Sequence, residues 1–159
     1  MRRLLAIIGL VVLSVLIHGC MNEPKLTVSD VLLLSEFNGP GNYTELGTTV
    51  LGDDQGVTFY VEIRDFGIEK SGSLYEFWVS VDIRIGDETD VYIDKTDQQE
   101  IHIKNATEKP GMVYYKYPWN TGNMVRSGDY WVKIVAKDKL LGRVAESRLE
   151  FEIDLDKQA

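Results

Sequence analysis

The chain is expected to fold as an all-β, antiparallel sandwich of seven to nine strands, and three features of its sequence say so. Apolar and polar residues alternate with period two over long stretches, which is the repeat of a pleated strand with one face hidden. Aromatic residues are plentiful, with 8 Tyr and 3 Trp, and together with the many Val and Ile they suit a half-buried sheet surface. Turn-forming clusters punctuate the alternating runs, and past the first twenty residues no helix-period stretch stands between them.

The elements follow in order. Met1-Arg2-Arg3 is a short basic start, and Leu4 to Ile17 is an uncharged run of 14 residues diluted only by Gly9 and Ser14. That is the plan of a secretory signal, and it is short for a membrane span, which needs about 20 apolar residues. Ile17-His18-Gly19-Cys20 resembles the lipobox of prokaryotic lipoproteins, with an apolar residue three before the Cys and a small one directly before it. His18 stands where that family carries a smaller residue. The resemblance implies cleavage after Gly19, leaving residues 1–19 as signal peptide, and a diacylglycerol on the Cys20 sulfur. An ordinary secretory signal and an uncleaved anchor are the alternatives. Residues 20–25 then form a tether, with Pro24 interrupting regular structure.

The sandwich is expected over 26–156. Leu26 to Leu34 is a first strand or two short pieces, and Thr48 to Leu51 is another short one between the loops at Asn38–Asn42 and Gly52–Gly56. Val57, Phe59, Val61 and Ile63 take one face of the next strand, with Thr58, Tyr60, Glu62 and Arg64 on the other. The longest strand sets Tyr75, Phe77, Val79, Val81, Ile83 and Ile85 against Glu76, Trp78, Ser80, Asp82 and Arg84. Short strands follow near Val91–Ile93 and Ile101–Ile103, then a Tyr-rich one over Val113–Trp119. Tyr130, Val132, Ile134 and Ala136 oppose Trp131, Lys133, Val135 and Lys137, and the last strand places Ala145, Ser147, Leu149, Phe151, Ile153 and Leu155 together. A closed barrel is the alternative arrangement of the same strands.

Ser127-Gly128-Asp129-Tyr130 and the alternating run to Asp138 resemble the penultimate strand of immunoglobulin-like domains in bacterial and archaeal surface proteins. The resemblance implies an immunoglobulin-like sandwich, with Tyr130 as a buried tyrosine that ties a loop to the sheet. The Cys pair and core Trp of antibody domains are absent, so the likeness concerns fold and says little of function.

Charge excludes one class of partner. The chain carries 17 basic and 25 acidic residues, a net −8, and loss of residues 1–19 removes two arginines to leave −10. Such a surface repels phosphate backbones, so no nucleic acid is expected as partner. Cys20 is the only cysteine, so neither an internal disulfide nor a cysteine-rich zinc site can form.

Catalytic patterns are not expected. The mature chain keeps one histidine, His102, on an Ile-His-Ile strand without a nucleophile motif beside it, and no glycine-rich phosphate loop opens a helix. Acidic turns at Asp53-Asp54, Asp87-Glu88 with Asp90, and Asp94 with Asp97 lack the spacing of an EF-hand loop. Solvated turns are the reading adopted, with a calcium site as the alternative; neither a metal nor a cofactor is assigned. The candidate interaction surface comprises Tyr114, Tyr117 and Trp119, from the Tyr-Tyr-Lys-Tyr-Pro-Trp cluster, with Trp78 and Trp131, which fall on the polar faces of their strands. Tyr115, Tyr117 and Trp119 share a face, which either fills the core or forms a platform. Asn42-Tyr43-Thr44 and Asn105-Ala106-Thr107 match the glycosylation acceptor, making Asn42 and Asn105 possible modification sites.

The expected function is a non-enzymatic, extracytoplasmic interaction module, anchored to a membrane through lipid on Cys20 and binding an unknown protein or envelope glycan. An inhibitor or regulator of extracellular proteases is the alternative, suggested by the segment from Trp119-Asn120 to Tyr130.

Overall fold

The computed structural model describes residues 25–89, 91–95, 98–124 and 126–158. The signal peptide, Cys20, most of the tether, Asp90 and Asp97 therefore lie outside the described residues. Twelve strands are found among those described: β1 (Thr27–Val28), β2 (Leu32–Phe37), β3 (Tyr43–Glu45), β4 (Val50–Asp53), β5 (Gly56–Arg64), β6 (Glu69–Ser71), β7 (Leu74–Asp87), β8 (Tyr92–Lys95), β9 (Gln99–Ala106), β10 (Met112–Asn120), β11 (Gly128–Asp138) and β12 (Val144–Gln158). No helix among the described residues is long and apolar enough to cross a membrane.

The strands build two packed sheets. In the first, β10 runs along one edge of β5, while β1 and β2 share its other edge and β3 lies outside β2. In the second, β11 lies between β12 and β7, and β4 pairs with the far edge of β12. The free edge of β7 takes β9 and then β8, and the short β6 continues the line of β11.

Two expectations are corrected. The strands number twelve rather than seven to nine, because short pieces such as β3 and β6 extend the edges. Nor is the sandwich wholly antiparallel: β4 runs parallel to β12, with Val50 opposite Glu152 and Leu51 opposite Ile153.

The inner faces hold the core that the alternation marks. Phe59, Val61 and Ile63 from β5 are fully buried, as are Val79, Val81, Val132, Ile134, Ala136 and Ile153 from the facing sheet. Phe59 meets Phe151 across the two layers at a centroid distance of 5.8 Å, and Phe66 meets Phe77 at 5.1 Å. Ring pairs at such offsets add to the stabilisation from area burial.

Tyr130 is 3% exposed, and its hydroxyl donates to the Arg126 carbonyl at 2.9 Å. The bond fastens the loop entering β11 to the sheet. It is the role that the Ser-Gly-Asp-Tyr motif implies for this tyrosine.

Candidate functional site

The five aromatic residues singled out in the sequence are not one surface. Cross-strand register separates them. On β10, Tyr114, Lys116 and Pro118 oppose Glu62, Tyr60 and Thr58, on the outer face of the first sheet. Tyr115, Tyr117 and Trp119 oppose Val61, Phe59 and Val57, on the inner face. Trp119 accordingly packs 5.8 Å from Phe59 and 5.9 Å from Phe151. Tyr117 packs against the core and donates its hydroxyl to Asp94 Oδ2 at 2.8 Å, bridging from β10 to β8. Burial first and the Asp94 carboxylate second push its phenol up to about 12.

Trp131 is 5% exposed although it sits on the polar-looking face of β11. Its partner across the ladder is Gly86. A methyl group on Gly86 would lie 2.4 Å from Trp131 Cζ2, so the indole occupies the space that any other residue there would fill. Its N–H donates to the Asp87 carbonyl at 2.9 Å, and the Arg148 guanidinium covers the ring at 4.7 Å.

Trp78 lies near the other end of the same outer face, eight positions from Gly86 along β7, or roughly 26 Å. The two tryptophans therefore make no common patch. Trp78 is half-buried and stacks on His102 at 4.5 Å with the rings 8° from parallel. His102 in turn shares a 2.8 Å hydrogen bond with Glu76 Oε1. The Trp78 indole nitrogen is buried and finds no hydrogen-bond partner among the described residues.

Tyr114 belongs to a different group. It is 38% exposed and lies 5.4 Å from Phe37 and 6.0 Å from Tyr60. Phe37 and Tyr43 each meet Tyr60 at 5.3 Å. Four rings thus form an aromatic shelf on the outer face of the first sheet. Tyr60 is its floor, 1% exposed, and Phe37, Tyr43 and Tyr114 are its partly open top. Lys116 adds a cation 4.7 Å over Phe37. The Tyr60 hydroxyl donates to Glu62 at 3.2 Å, and burial, followed by that carboxylate, pushes its phenol up to about 12. Phe37, Tyr43 and Tyr60 are members that sequence reading missed. The available signal was Tyr60 on the polar face of an alternating strand, where a large ring needs company.

Two carboxylates of the acidic turns, those of Asp87 and Asp94, are engaged in internal bonding. Asp87 accepts from the Thr89 hydroxyl at 2.6 Å, from Thr89 N at 2.9 Å and from Val91 N at 3.3 Å. Those bonds, led by the Thr89 hydroxyl and joined by the Arg126 guanidinium that pairs with it, hold its carboxyl below the usual range. No group of three or more metal-ligating side chains occurs among the described residues. Asn42 and Asn105 are both exposed; Asn42 lies in the turn after Gly39, and Asn105 adopts a left-handed φ of 62° in β9.

The loop after β10 is held firmly. Thr121 is fully buried, donates to the Gly52 carbonyl at 2.6 Å and accepts from Gln55 N at 2.8 Å. Asn120 caps the short 3-10 turn Thr121–Asn123 by accepting from Gly122 N at 2.6 Å.

No family model matches the chain, and no curated protein matches it. Among solved structures, it is similar to the C-terminal domain of Wzt, with a TM-score of 0.50 and 11% identity, covering 84% of this chain and 75% of that one. Also found are an immunoglobulin-like protein from Pseudomonas aeruginosa, at TM-score 0.37, 10% identity and coverage of 84% and 99%, and a superoxide reductase from Ignicoccus hospitalis, at 0.36, 11%, 86% and 89%. The likeness to the first of these is one of fold alone: an all-β chain in two packed sheets.

Proposed function

We propose that the chain is an exported, lipid-anchored, non-enzymatic interaction module with an immunoglobulin-like sandwich, held outside the cytoplasm by diacylglycerol on Cys20. The observation that carries the binding role is the aromatic shelf of Phe37, Tyr43 and Tyr114 over Tyr60. Its rings stand on a sheet face over which no third layer lies among the described residues, and the hydroxyls of Tyr43 and Tyr114 with the amine of Lys116 supply polar contacts at its edge. Rings with polar handles suit both the apolar face of a saccharide and the anchors of a protein partner.

The test is co-sedimentation of the purified full chain with isolated envelope glycan and, separately, with envelope protein. The paired substitution Phe37→Ala and Tyr114→Ala is expected to reduce capture at least tenfold in one of the two arms. Equal capture by the variant, or none by the wild-type chain in either arm, contradicts the reading. Thermal unfolding of the variant separates a lost surface from a lost fold.

Inhibition of extracellular proteases is the second reading, favoured by the firm attachment of the exposed Asn120–Asn123 turn through Thr121. A pre-organised loop binds with little ordering cost. Dose-dependent loss of secreted protease activity on adding the chain supports it, and unchanged activity removes it.

A further inference from the structure

Loops from both sheets meet where β5 and β11 end and where β7, β10 and β12 begin. They enclose a cleft of about 650 Å3. Tyr75 and Pro110 are part of its apolar lining, and Lys70, Lys109 and Arg143 bring three cations to it against the single carboxylate of Asp65. This balance is the reverse of the whole chain's, which is −8. Lys70 lies 5.6 Å over the Tyr75 ring, and neither Lys70 nor Lys109 takes part in an ion pair among the described residues. Leu141, at the tip of the turn between β11 and β12, is 52% exposed on the same rim. Glu69, Glu108 and the buried Asp138 stand on this end of the molecule but outside the lining, and the Asp138 carboxylate is taken up by the amides of Gly67, Leu140 and Leu141.

The opposite end is acidic. Asp53, Asp54, Asp87, Glu88, Asp129, Asp154 and Asp156 gather around the far ends of β4, β7, β11 and β12, with Arg126 and Lys157 among them. Charge is thus separated along the strands. The described chain also starts at the basic end: Thr27 stands opposite Arg64, and its hydroxyl donates to Asp65 Oδ2 at 3.3 Å. Six residues lead from Cys20 to Leu26, a reach of at most roughly 20 Å.

We propose that the cleft receives the phosphate headgroup of an anionic membrane lipid, seating the sandwich on the bilayer by its basic end. The inference rests on the proposed anchor for its orientation, since the chain leaves the sheet beside the cleft. A phosphate meets the amines of Lys70 and Lys109 and the Arg143 guanidinium, while Leu141 and Pro110 enter the interfacial layer. The acidic end then points away from a surface of its own sign. The two acyl chains of the anchor hold the protein to the bilayer by themselves, so the headgroup contact fixes which end of the sandwich meets the surface.

The test uses the full chain reconstituted in vesicles of phosphatidylcholine alone and of phosphatidylcholine with about one-third phosphatidylglycerol, a fraction chosen to give a strong negative surface. Amide hydrogen exchange is read over 65–70, 109–111 and 140–143. Slowing of at least fivefold on the anionic vesicles only, abolished by Lys70→Glu with Lys109→Glu while core strands exchange unchanged, is the expected result. Equal exchange on both vesicles overturns the proposal. Equal slowing by inorganic phosphate without vesicles also overturns it, by assigning the cleft to a free anion. The mass of the processed N-terminus reports the anchor separately. Anionic-specific slowing on a chain with unmodified Cys20 supports the cleft and removes the anchor, and a diacylated chain without slowing does the reverse.

Discussion

Phe59→Ala is expected to destabilise the protein by about 4 kcal/mol, the middle of the range for deleting a buried aromatic ring. Phe59 is fully buried at the middle of β5 and touches rings from two directions, Trp119 beside it and Phe151 on the facing sheet. Truncation removes transfer free energy and leaves a cavity whose walls belong to two different sheets. Neither wall can collapse into it without moving a ladder of hydrogen bonds. Against a net stability of about 5–15 kcal/mol, the loss lowers the melting temperature by roughly 15 °C for a domain of this size. Thermal unfolding followed by circular dichroism checks this. Val144→Ala is the control: Val144 is 60% exposed, and its loss is expected to stay within about 0.5 kcal/mol. A Phe59→Ala protein as stable as the control would contradict the packing described.

Asp138→Ala is expected to cost about 3 kcal/mol for a different reason. Asp138 is fully buried at the end of β11. Its carboxylate accepts from Gly67 N at 2.6 Å, Leu140 N at 2.9 Å and Leu141 N at 3.1 Å. One side chain thereby satisfies the tight turn into β12 and pins the loop after β5 to it. Without the carboxylate three backbone donors lose their acceptor, and a buried donor left unpaired costs its full desolvation. Asp138→Asn is expected to lose less, because its one carbonyl oxygen serves one side while its amide faces donors on the other. Urea unfolding with an unchanged slope and a lowered midpoint is the expected observation, with faster amide exchange at Gly67 and Leu140. An Asp138→Ala midpoint equal to that of the wild-type protein would show that the turn stands without the carboxylate. The same substitution loosens the basic cleft, since Gly67 and Leu141 both line it.

Long strands with one hidden face were legible because their pattern is local. The two sides of β5, β7, β11 and β12 follow from counting by twos, and the core residues Phe77, Val79, Val81, Ile134 and Phe151 are all at most 5% exposed. What escaped depends on partners. β3 and β6 are three residues each, Tyr-Thr-Glu and Glu-Lys-Ser, and nothing in so short and polar a run distinguishes a strand from a turn. The parallel pairing of β4 with β12 joins segments about a hundred residues apart, and local alternation carries no sign of it. Trp131 looks like an exposed aromatic until Gly86 is placed opposite it. Ser80, also on a polar face, is fully buried, with its hydroxyl accepting from Gln98 at 2.6 Å.

The candidate surface was legible in one member out of the Tyr-rich strand. Alternation put Tyr114 on the side opposite Tyr115, Tyr117 and Trp119, and the structure keeps that division. The shelf that Tyr114 joins draws on β2, β3 and β5, so its composition required the sheet order. The basic cleft was less visible still, because Lys70 comes from the short strand β6 and Lys109 and Arg143 from two separate connections, all scattered through an acidic chain.

Two sheets closing on a shared interior is the claim from which both proposed surfaces follow, since it decides which side of each strand faces outward. Nuclear Overhauser contacts between aromatic protons measure it directly. Contacts are expected between Phe59 and Phe151 and between Phe66 and Phe77, with Tyr60 instead contacting Phe37, Tyr43 and Tyr114. Contacts joining Tyr60 to Phe151, with none from Phe59 to Phe151, would turn β5 over and contradict the account.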